Sequence, residues 1–466
     1  MSPSNNIVVP LRKDGRAVTG TGDDRYGGGR TSPDAAFSQD AAATFFSDRY
    51  EDAVKYVADE ERFIIYDGAS WQRDETNKID DLIRASNRAY VLSIKAANRN
   101  NSYANLKATK NLVASDPRHV VLSSDLDKDP ALLNCPDGSY NLESGDHKPH
   151  DPADLCTRIT AVAPSFTDPT DFQNHVNEWS NFRPELADYL ARAGGYLLRG
   201  DNPEEVFFVI YGNGQNGKSK FKDLLVHVAG NYATQAPSGL FLSSQPINED
   251  NALANLIGPR LAYAEENKPN SPLREDVIKR TTGSQHAKVR AIYRDYKEQR
   301  IGFTPLLLIN DLPPLSGTGK ALRRRLHLIP FEWDCPDDRK DPHLLQKLIQ
   351  NEASEILGWL ITGAVSYAQV GLNKPECMIQ IENEYFNEED TIGAWVNDCV
   401  ETGPPTLKLK SATAYHSYSR WCDENGATPV TNVLLTRELV NRGFKKGRNR
   451  EGAFFEAHRL KTPGFE

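Results

Sequence analysis

Val206-Phe-Phe-Val-Ile-Tyr211, followed at once by Gly212-Asn213-Gly214-Gln215-Asn216-Gly217-Lys218-Ser219, is the stretch that decides the fold. The first six residues are a continuous apolar run of strand length, which suits a strand buried on both faces of a parallel sheet. The next eight satisfy G-x-x-x-x-G-K-[ST]. Behind them Phe221, Leu224, Leu225 and Val228 fall at i, i+3, i+4 and i+7 of one helix face. Strand, glycine-rich loop and helix in that order make a phosphate cradle. Glycines let the backbone wrap a polyphosphate with its N–H groups inward, and the helix N-terminus adds a favourable dipole. Lys218 then neutralises the β- and γ-oxygens, and the Ser219 hydroxyl is suited to hold Mg2+. Residues 212–219 therefore read as a nucleotide site.

Glu185 to Leu198 reads as an apolar-periodic helix, and short apolar runs recur at Leu261 to Ala264 and Leu306 to Ile309. Such runs separated by helical stretches predict an α/β sheet covered on both faces. Arg260-Leu-Ala-Tyr-Ala-Glu265-Glu266 is a strand ending in paired acids. One carboxylate suits Mg2+ and its waters and the other suits the attacking water; a solvated acidic turn is the competing reading. Leu306-Leu-Leu-Ile-Asn310 ends in an amide at the strand edge where ligands of open α/β sheets collect. The alternative is a turn-former ahead of Pro313-Pro314. Arg323-Arg324-Arg325 offers the planar, always-charged fork that a γ-phosphate of a neighbouring subunit requires, or else a basic helix face.

Upstream, residues 1–37 are glycine-rich and polar and read as a disordered tail. Residues 38–165 read as a compact N-terminal α+β domain. It opens with Phe45, Phe46, Tyr50, Val54 and Val57 at helical spacing, then Arg62 to Tyr66 as a strand and Ile79 to Lys95 as a helix. The ATPase region spans 166–380. Residues 381–466 form a smaller, aromatic and basic third region. In it Tyr415, Tyr418 and Trp421 mark one helix face, Thr436 to Arg442 a second helix, and Lys445-Lys446-Gly-Arg448-Asn-Arg450 a basic wing between two short strands. This predicts a winged-helix-like domain whose wing meets DNA phosphates; a docking module for a primase or polymerase is the competing reading.

The 466 residues carry a net charge of −9, yet residues 402–466 hold 11 Lys and Arg against 6 Asp and Glu. A basic end on an acidic body fits local nucleic-acid contact rather than a protein coated in it. The six cysteines form no C-x-x-C pair, so neither a disulfide framework nor a zinc knuckle is expected. No apolar run reaches the roughly 18 residues of a membrane span, and no signal segment opens the chain, so a cytoplasmic protein without membrane partners is expected.

Taken in order, the loop GNGQNGKS, the strand end RLAYAEE, Lys279-Arg-Thr-Thr-Gly283 leading to Val289-Arg290-Ala291-Ile292-Tyr293, the strand LLLIN and the segment RRRLHLIPF resemble superfamily 3 helicases of the phage- and plasmid-type and poxvirus-type primase-helicases. Asp129-Pro130-Ala-Leu-Leu-Asn134, with Asp137-Gly138 and Leu142, is similar to the domain that precedes the helicase there. The resemblance covers residue 40 to the C-terminus. It implies an AAA+-like P-loop ATPase core that uses ATP and Mg2+. Lys218 and Ser219 would be its Walker A residues, Glu266 the principal Walker B acid and metal-side carboxylate, with Glu265 its partner. Asn310 would be the sensor, and Arg324 or Arg325 a finger acting across a subunit boundary. It further implies a homo-oligomeric ring, a hexamer, moving 3′ to 5′ on single-stranded and forked DNA in a bacterial cell during phage or mobile-element replication. The segment before residue 40 is too short for a primase, and a separate primase or polymerase is a candidate partner. Ala287 to Arg294 and Arg300 to Thr304 read as a hairpin that the resemblance places in the ring channel, with Arg294, Tyr296 and Lys297 at its tip; an ordinary surface hairpin is the alternative.

Asp125-Leu-Asp127 mimics a primase metal pair but lacks a partner histidine or third acid in a matching context, and His147 with His150 reads as plain surface. Two other functions compete with the helicase: a monomeric P-loop kinase or switch indifferent to DNA, and an origin-binding initiator or loader that uses ATP for assembly alone.

Overall fold

The structure is a computed structural model that describes residues 37–94, 102–266, 268, 271–283, 286–289, 297–313, 315, 320–388, 390–427, 429–450 and 452–461. Apart from Phe37, the expected tail 1–37 lies outside them. The chain divides into two compact units, Met1–Leu312 with Arg325–Pro375, and Pro313–Arg324 with Glu376–Glu466.

The first unit opens with the helix Gln39–Tyr50, started by Ser38, whose hydroxyl accepts from the Ala41 amide at 3.4 Å. The helical spacing read through Val54 and Val57 ends earlier than expected: Val54–Val57 is a strand, in a sheet ordered Trp71–Arg73, Arg62–Tyr66, Val54–Val57, Val120–Val121. Both valines are buried, but in different cores. Val54 packs with Phe46, Ile79, Ile83 and Val113, and Val57 with Ile64, Tyr66 and Trp71. A strand buried on both faces shows no period-2 alternation, so a three-residue spacing imitates a helix. The helices Lys78–Ser93 and Tyr103–Ser115 cover this sheet's first core, and a meander of Leu132–Cys135, Gly138–Asn141 and His147–Lys148 follows.

The same unit holds the expected parallel sheet. Its strands are Phe207–Tyr211, Ala233–Gln235, Leu261–Glu265, Thr304–Leu308 and Leu326–Pro330. Counted along the chain their spatial order is 5-1-4-3-2, and every neighbouring pair is parallel. Phe207, Phe208, Val209 and Ile210 are wholly buried, as a strand covered on both faces must be. The helices Pro184–Tyr196 and Lys218–Ala229 both pack against the long helix Leu344–Val370. Strands two, three and four lie on one side of strand one and strand five on the other, so the chain reverses its lateral direction at strand one. The crevice at that strand's carboxyl end is where open α/β sheets take ligands.

An antiparallel ribbon pairs His286–Val289 with Lys297–Arg300. This corrects the expected hairpin: its second strand is Lys297–Arg300, while Thr304 begins the fourth sheet strand. The segment Lys-Glu-Gln-Arg has no apolar period from which a strand could be read.

In the second unit, the helix Thr391–Cys399 precedes a strand, Lys408–Lys410, two helices, Ser411–Glu424 and Asn432–Asn441, and a hairpin, Lys446–Asn449 with Gly452–Glu456. The sheet order places Gly452–Glu456 between the other two strands. Trp395, Tyr418, Leu435, Leu439 and Phe455 form its core, with Tyr415 and Trp421 packed alongside. The second of these helices starts before the expected Thr436, because Thr431 caps it by accepting from the Leu434 amide at 3.4 Å. Among the described residues no helix is long and apolar enough to cross a membrane.

One group in the sheet contributes to the response to acid. His327, in strand five, is buried and bonds the Tyr189 hydroxyl through Nδ1, and burial holds its pKa well below the ordinary 6.5. The unfolded chain therefore binds a proton that the folded chain refuses. Stability is full above pH 6.5 and falls as pH drops below it, by up to about 1.4 kcal/mol per pH unit for this group. Melting temperature should decline between pH 7 and pH 5, and His327→Gln should flatten that decline; an unchanged slope would remove His327 as its source.

Candidate nucleotide-binding site

The loop 212–219 stands at the carboxyl end of strand one, and its shape is set by two glycines. Gly212 has φ +145° and Gly217 φ +92°, backbone that L side chains avoid. Space excludes a side chain as well. A Cβ on Gly212 would overlap the Phe331 carbonyl and the Asn216 amide, and one on Gly217 would overlap the Trp179 indole. Gly217 is also the N-cap of the helix Lys218–Ala229, and no side chain caps that end. Its first amides thus remain free of side-chain partners, as an anion cradle requires.

Lys218 is buried, and its ammonium donates to the carbonyls of Gly212 and, at 3.1 Å, Asn213, and to the Asn216 side-chain oxygen at 3.1 Å. Burial lowers its pKa, against the charge of Asp311, which raises it. Asn216 is 4% exposed and joins two parts of the site: its oxygen takes Lys218 and its amide donates to the Phe331 carbonyl beyond strand five. Asn213, Gly214, Gln215 and Ser219 are exposed at the loop surface.

Three strand ends close on this loop. The Asn310 carbonyl accepts from the Gly212 amide at 3.2 Å, and the Ile210 carbonyl accepts from Ile309 at 3.0 Å. The Glu266 amide donates to Leu308 at 2.9 Å, and the Glu266 carboxylate accepts from the Asn310 amide at 3.4 Å. The loop, Glu266 and Asn310 are thereby brought together. Glu265 is engaged differently: it pairs with Lys222 at 2.6 Å, one helical turn beyond Lys218. Lys222 is buried with its ammonium 5.1 Å from the Tyr263 ring centroid. Burial works to lower its pKa, but the hydrogen bonds it donates to Asp223 and Glu265 raise it overall. Sequence reasoning singled out neither Lys222 nor Asp311. The i, i+4 spacing of Lys218 and Lys222 was the available signal for the first.

The arginines separate. Arg325 is buried, bonded to Glu205 at 2.5 Å and to the Thr282 hydroxyl at 2.9 Å, so its guanidinium is occupied inside its own subunit. Arg323 bonds Asn383 and lies 5.3 Å from the Phe386 ring centroid. Arg324 is exposed. Of the expected DNA contacts, Arg294 and Tyr296 lie outside the described residues. Lys297 pairs with Val289 in the ribbon's last described register pair, adjoining residues 290–296, which lie outside the described residues. Lys445, Lys446, Arg448 and Arg450 are all exposed on or beside the C-terminal hairpin. Asp125 accepts from the Leu122 amide at 2.9 Å and Asp127 from the Thr157 amide at 2.8 Å. His150 bonds Asn134 at 3.1 Å and His147 the Asp137 carbonyl at 3.2 Å.

For a cation, the suitable donors are the Ser219 hydroxyl and the Glu266 carboxylate. Mg2+ at nucleotide sites takes one or two protein oxygens and completes its shell with phosphate and water.

Residues 43–184 match the family described as D5 N terminal like. A protein of Acanthamoeba polyphaga mimivirus with the provisional name helicase L207/L206 is 29% identical over 428 residues, 86% of this chain and 43% of its own length. Frog virus 3 (isolate Goorha) has a similarly named helicase 022R, 24% identical over 285 residues, 55% of this chain and 29% of that one. The chain thus spans less than half the length of the relatives it matches. Among solved structures, the apo NrS-1 C-terminal region (305–718) aligns with 87% of this chain and 95% of its own, at 9% identity and TM-score 0.47. The chain is thus similar to D5 N-terminal-like domains over residues 43–184 and to viral proteins named as helicases.

Asn216→Ala would leave the buried Phe331 carbonyl and one Lys218 donor unsatisfied, at about 1–3 kcal/mol. The variant should melt lower and bind ATP more weakly; equal ATP affinity would show that Lys218 is positioned without it.

Proposed function

We propose that this chain is the motor part of an ATP-driven DNA helicase of superfamily 3 type, with an AAA+-like P-loop core, working as a hexameric ring on single-stranded and forked DNA in viral or mobile-element replication. The observation that carries this reading is the meeting of residues 212–219, Glu266 and Asn310 at one sheet edge, tied by backbone hydrogen bonds. The helicase-named relatives supply the nucleic-acid side.

In this reading Lys218 exchanges loop carbonyls for the β- and γ-phosphate oxygens, a stronger, charge-assisted set of partners. Mg2+ bound with the nucleotide supplies charge neutralisation on the phosphates, and Ser219 with Glu266 would hold it. Glu266 also orients the attacking water, and the Asn310 side chain contacts that water or the γ-phosphate. Glu265, neutralised by Lys222, fixes the end of the acidic strand. Arg324, which is exposed where Arg325 is buried, is the residue that reaches a neighbouring subunit's γ-phosphate. The ribbon containing Lys297 touches the DNA backbone. The helix–helix–hairpin of the second unit acts as a winged helix, with Lys445, Lys446, Arg448 and Arg450 on phosphates.

ATP turnover should rise several-fold with single-stranded DNA, and Lys218→Ala should abolish it. DNA-independent turnover would favour a kinase or switch, and DNA-stimulated turnover without strand displacement an initiator or loader. The shared site makes a second expectation. Lys218→Ala and Arg324→Ala should each be inactive alone, yet a mixture should regain activity, because some seams then pair an intact Lys218 with an intact Arg324. No recovery on mixing would remove Arg324 from the neighbour's site.

A further inference from the structure

Between the helices Thr170–Trp179 and Pro184–Tyr196 the chain turns through two consecutive non-glycine residues in left-handed backbone, Asn181 at φ +53° and Phe182 at φ +57°. Asparagine tolerates this region, but for a bulky aromatic it is an outlier that persists only where the surroundings enforce it. The turn is indeed wound tight: the Asn181 amide donates to Glu178 at 2.8 Å and the Phe182 amide to Asn177 at 2.7 Å. Yet the ring it presents is 65% exposed. Burial of the ring therefore does not account for an aromatic side chain at this strained position.

Two tethers place Phe182 beside the phosphate loop. On one side Trp179 lies against Gly217, where a Cβ would overlap its indole. On the other, Arg183 pairs with Glu332 at 2.9 Å, and the neighbouring Phe331 carbonyl accepts the Asn216 amide. Arg339 ties the same region together, bonded to Glu178 and 5.6 Å from the Trp333 ring centroid. The turn carrying Phe182 is thus anchored to residues 212–219 directly at Trp179 and, through Glu332 and its chain neighbour Phe331, at Asn216.

We propose that Phe182 is the base-stacking residue of this site, its ring lying against the nucleobase of a bound nucleoside triphosphate. The inference rests on reading residues 212–219 as a triphosphate cradle and adds what the cradle lacks, a surface for the rest of the ligand. Aromatic stacking accepts any base because every base has a π-face. The ring therefore selects nucleoside triphosphates over inorganic triphosphate while discriminating weakly among bases.

The test is equilibrium binding of ATP and of inorganic tripolyphosphate, each with Mg2+, to the full chain as wild type, Phe182→Gly, Phe182→Trp and Lys218→Ala. Glycine suits the left-handed backbone, so Phe182→Gly should melt no lower than wild type. It should bind ATP roughly ten-fold more weakly, the scale of one lost stacking contact, with tripolyphosphate affinity unchanged. Phe182→Trp should retain ATP affinity. Equal weakening of both ligands, or of neither, overturns the base-stacking role alone. A wild-type chain that binds neither ligand, or a Lys218→Ala chain that binds both normally, overturns the cradle reading and this inference with it.

Discussion

The hydrogen bond from the Gly212 amide to the Asn310 carbonyl is the tie on which the site depends. It locks the start of the phosphate loop to the end of the fourth strand. The Glu266 carboxylate, accepting from the amide of that same asparagine, brings the acidic strand to the same point. Parallel pairing makes this possible. Strands one, three and four run in one direction, so all three release their chains at one edge, and any polar residue placed there faces its counterparts. Covering both faces of the sheet then fixes the strands rigidly enough to hold those positions.

The cradle also depends on a second layer. Asn216 holds Lys218 with one end and the Phe331 carbonyl with the other, while Trp179 occupies the space a side chain at Gly217 would need. The loop is therefore clamped between strand five and the helix Thr170–Trp179 rather than being a free turn. Charge is arranged with similar economy. The two lysines on one face of the loop helix are divided between tasks, Lys218 at the loop and Lys222 on Glu265, so the acidic strand end carries one neutralised and one available carboxylate.

The parallel sheet was legible because strands buried on both faces are unbroken apolar runs, and the loop because its glycines and lysine occupy fixed offsets. Legibility failed where burial or charge erased the pattern. Val54 and Val57 lie on opposite faces of one strand, each in its own core, and so imitated a helix. The strand Lys297–Arg300 is Lys-Glu-Gln-Arg, with no apolar residue to mark a period, so its boundary differs from the expected Arg300 to Thr304. Arg324 and Arg325 are indistinguishable in sequence, and burial separates them: Arg325 is enclosed with Glu205 and Thr282, and Arg324 is exposed. Phe182 carried no sequence signal, since a phenylalanine gives no indication of left-handed backbone.

The central claim is that Glu266 completes a hydrolytic site whose phosphate grip is built by other residues. It is tested most directly by comparing ATP binding with ATP turnover in Glu266→Gln, which keeps the size of the side chain and removes its charge. Near-normal ATP affinity with turnover reduced at least a hundred-fold is the expected result. Turnover close to wild type, or ATP affinity lost along with it, would contradict the division of labour derived from the sheet edge.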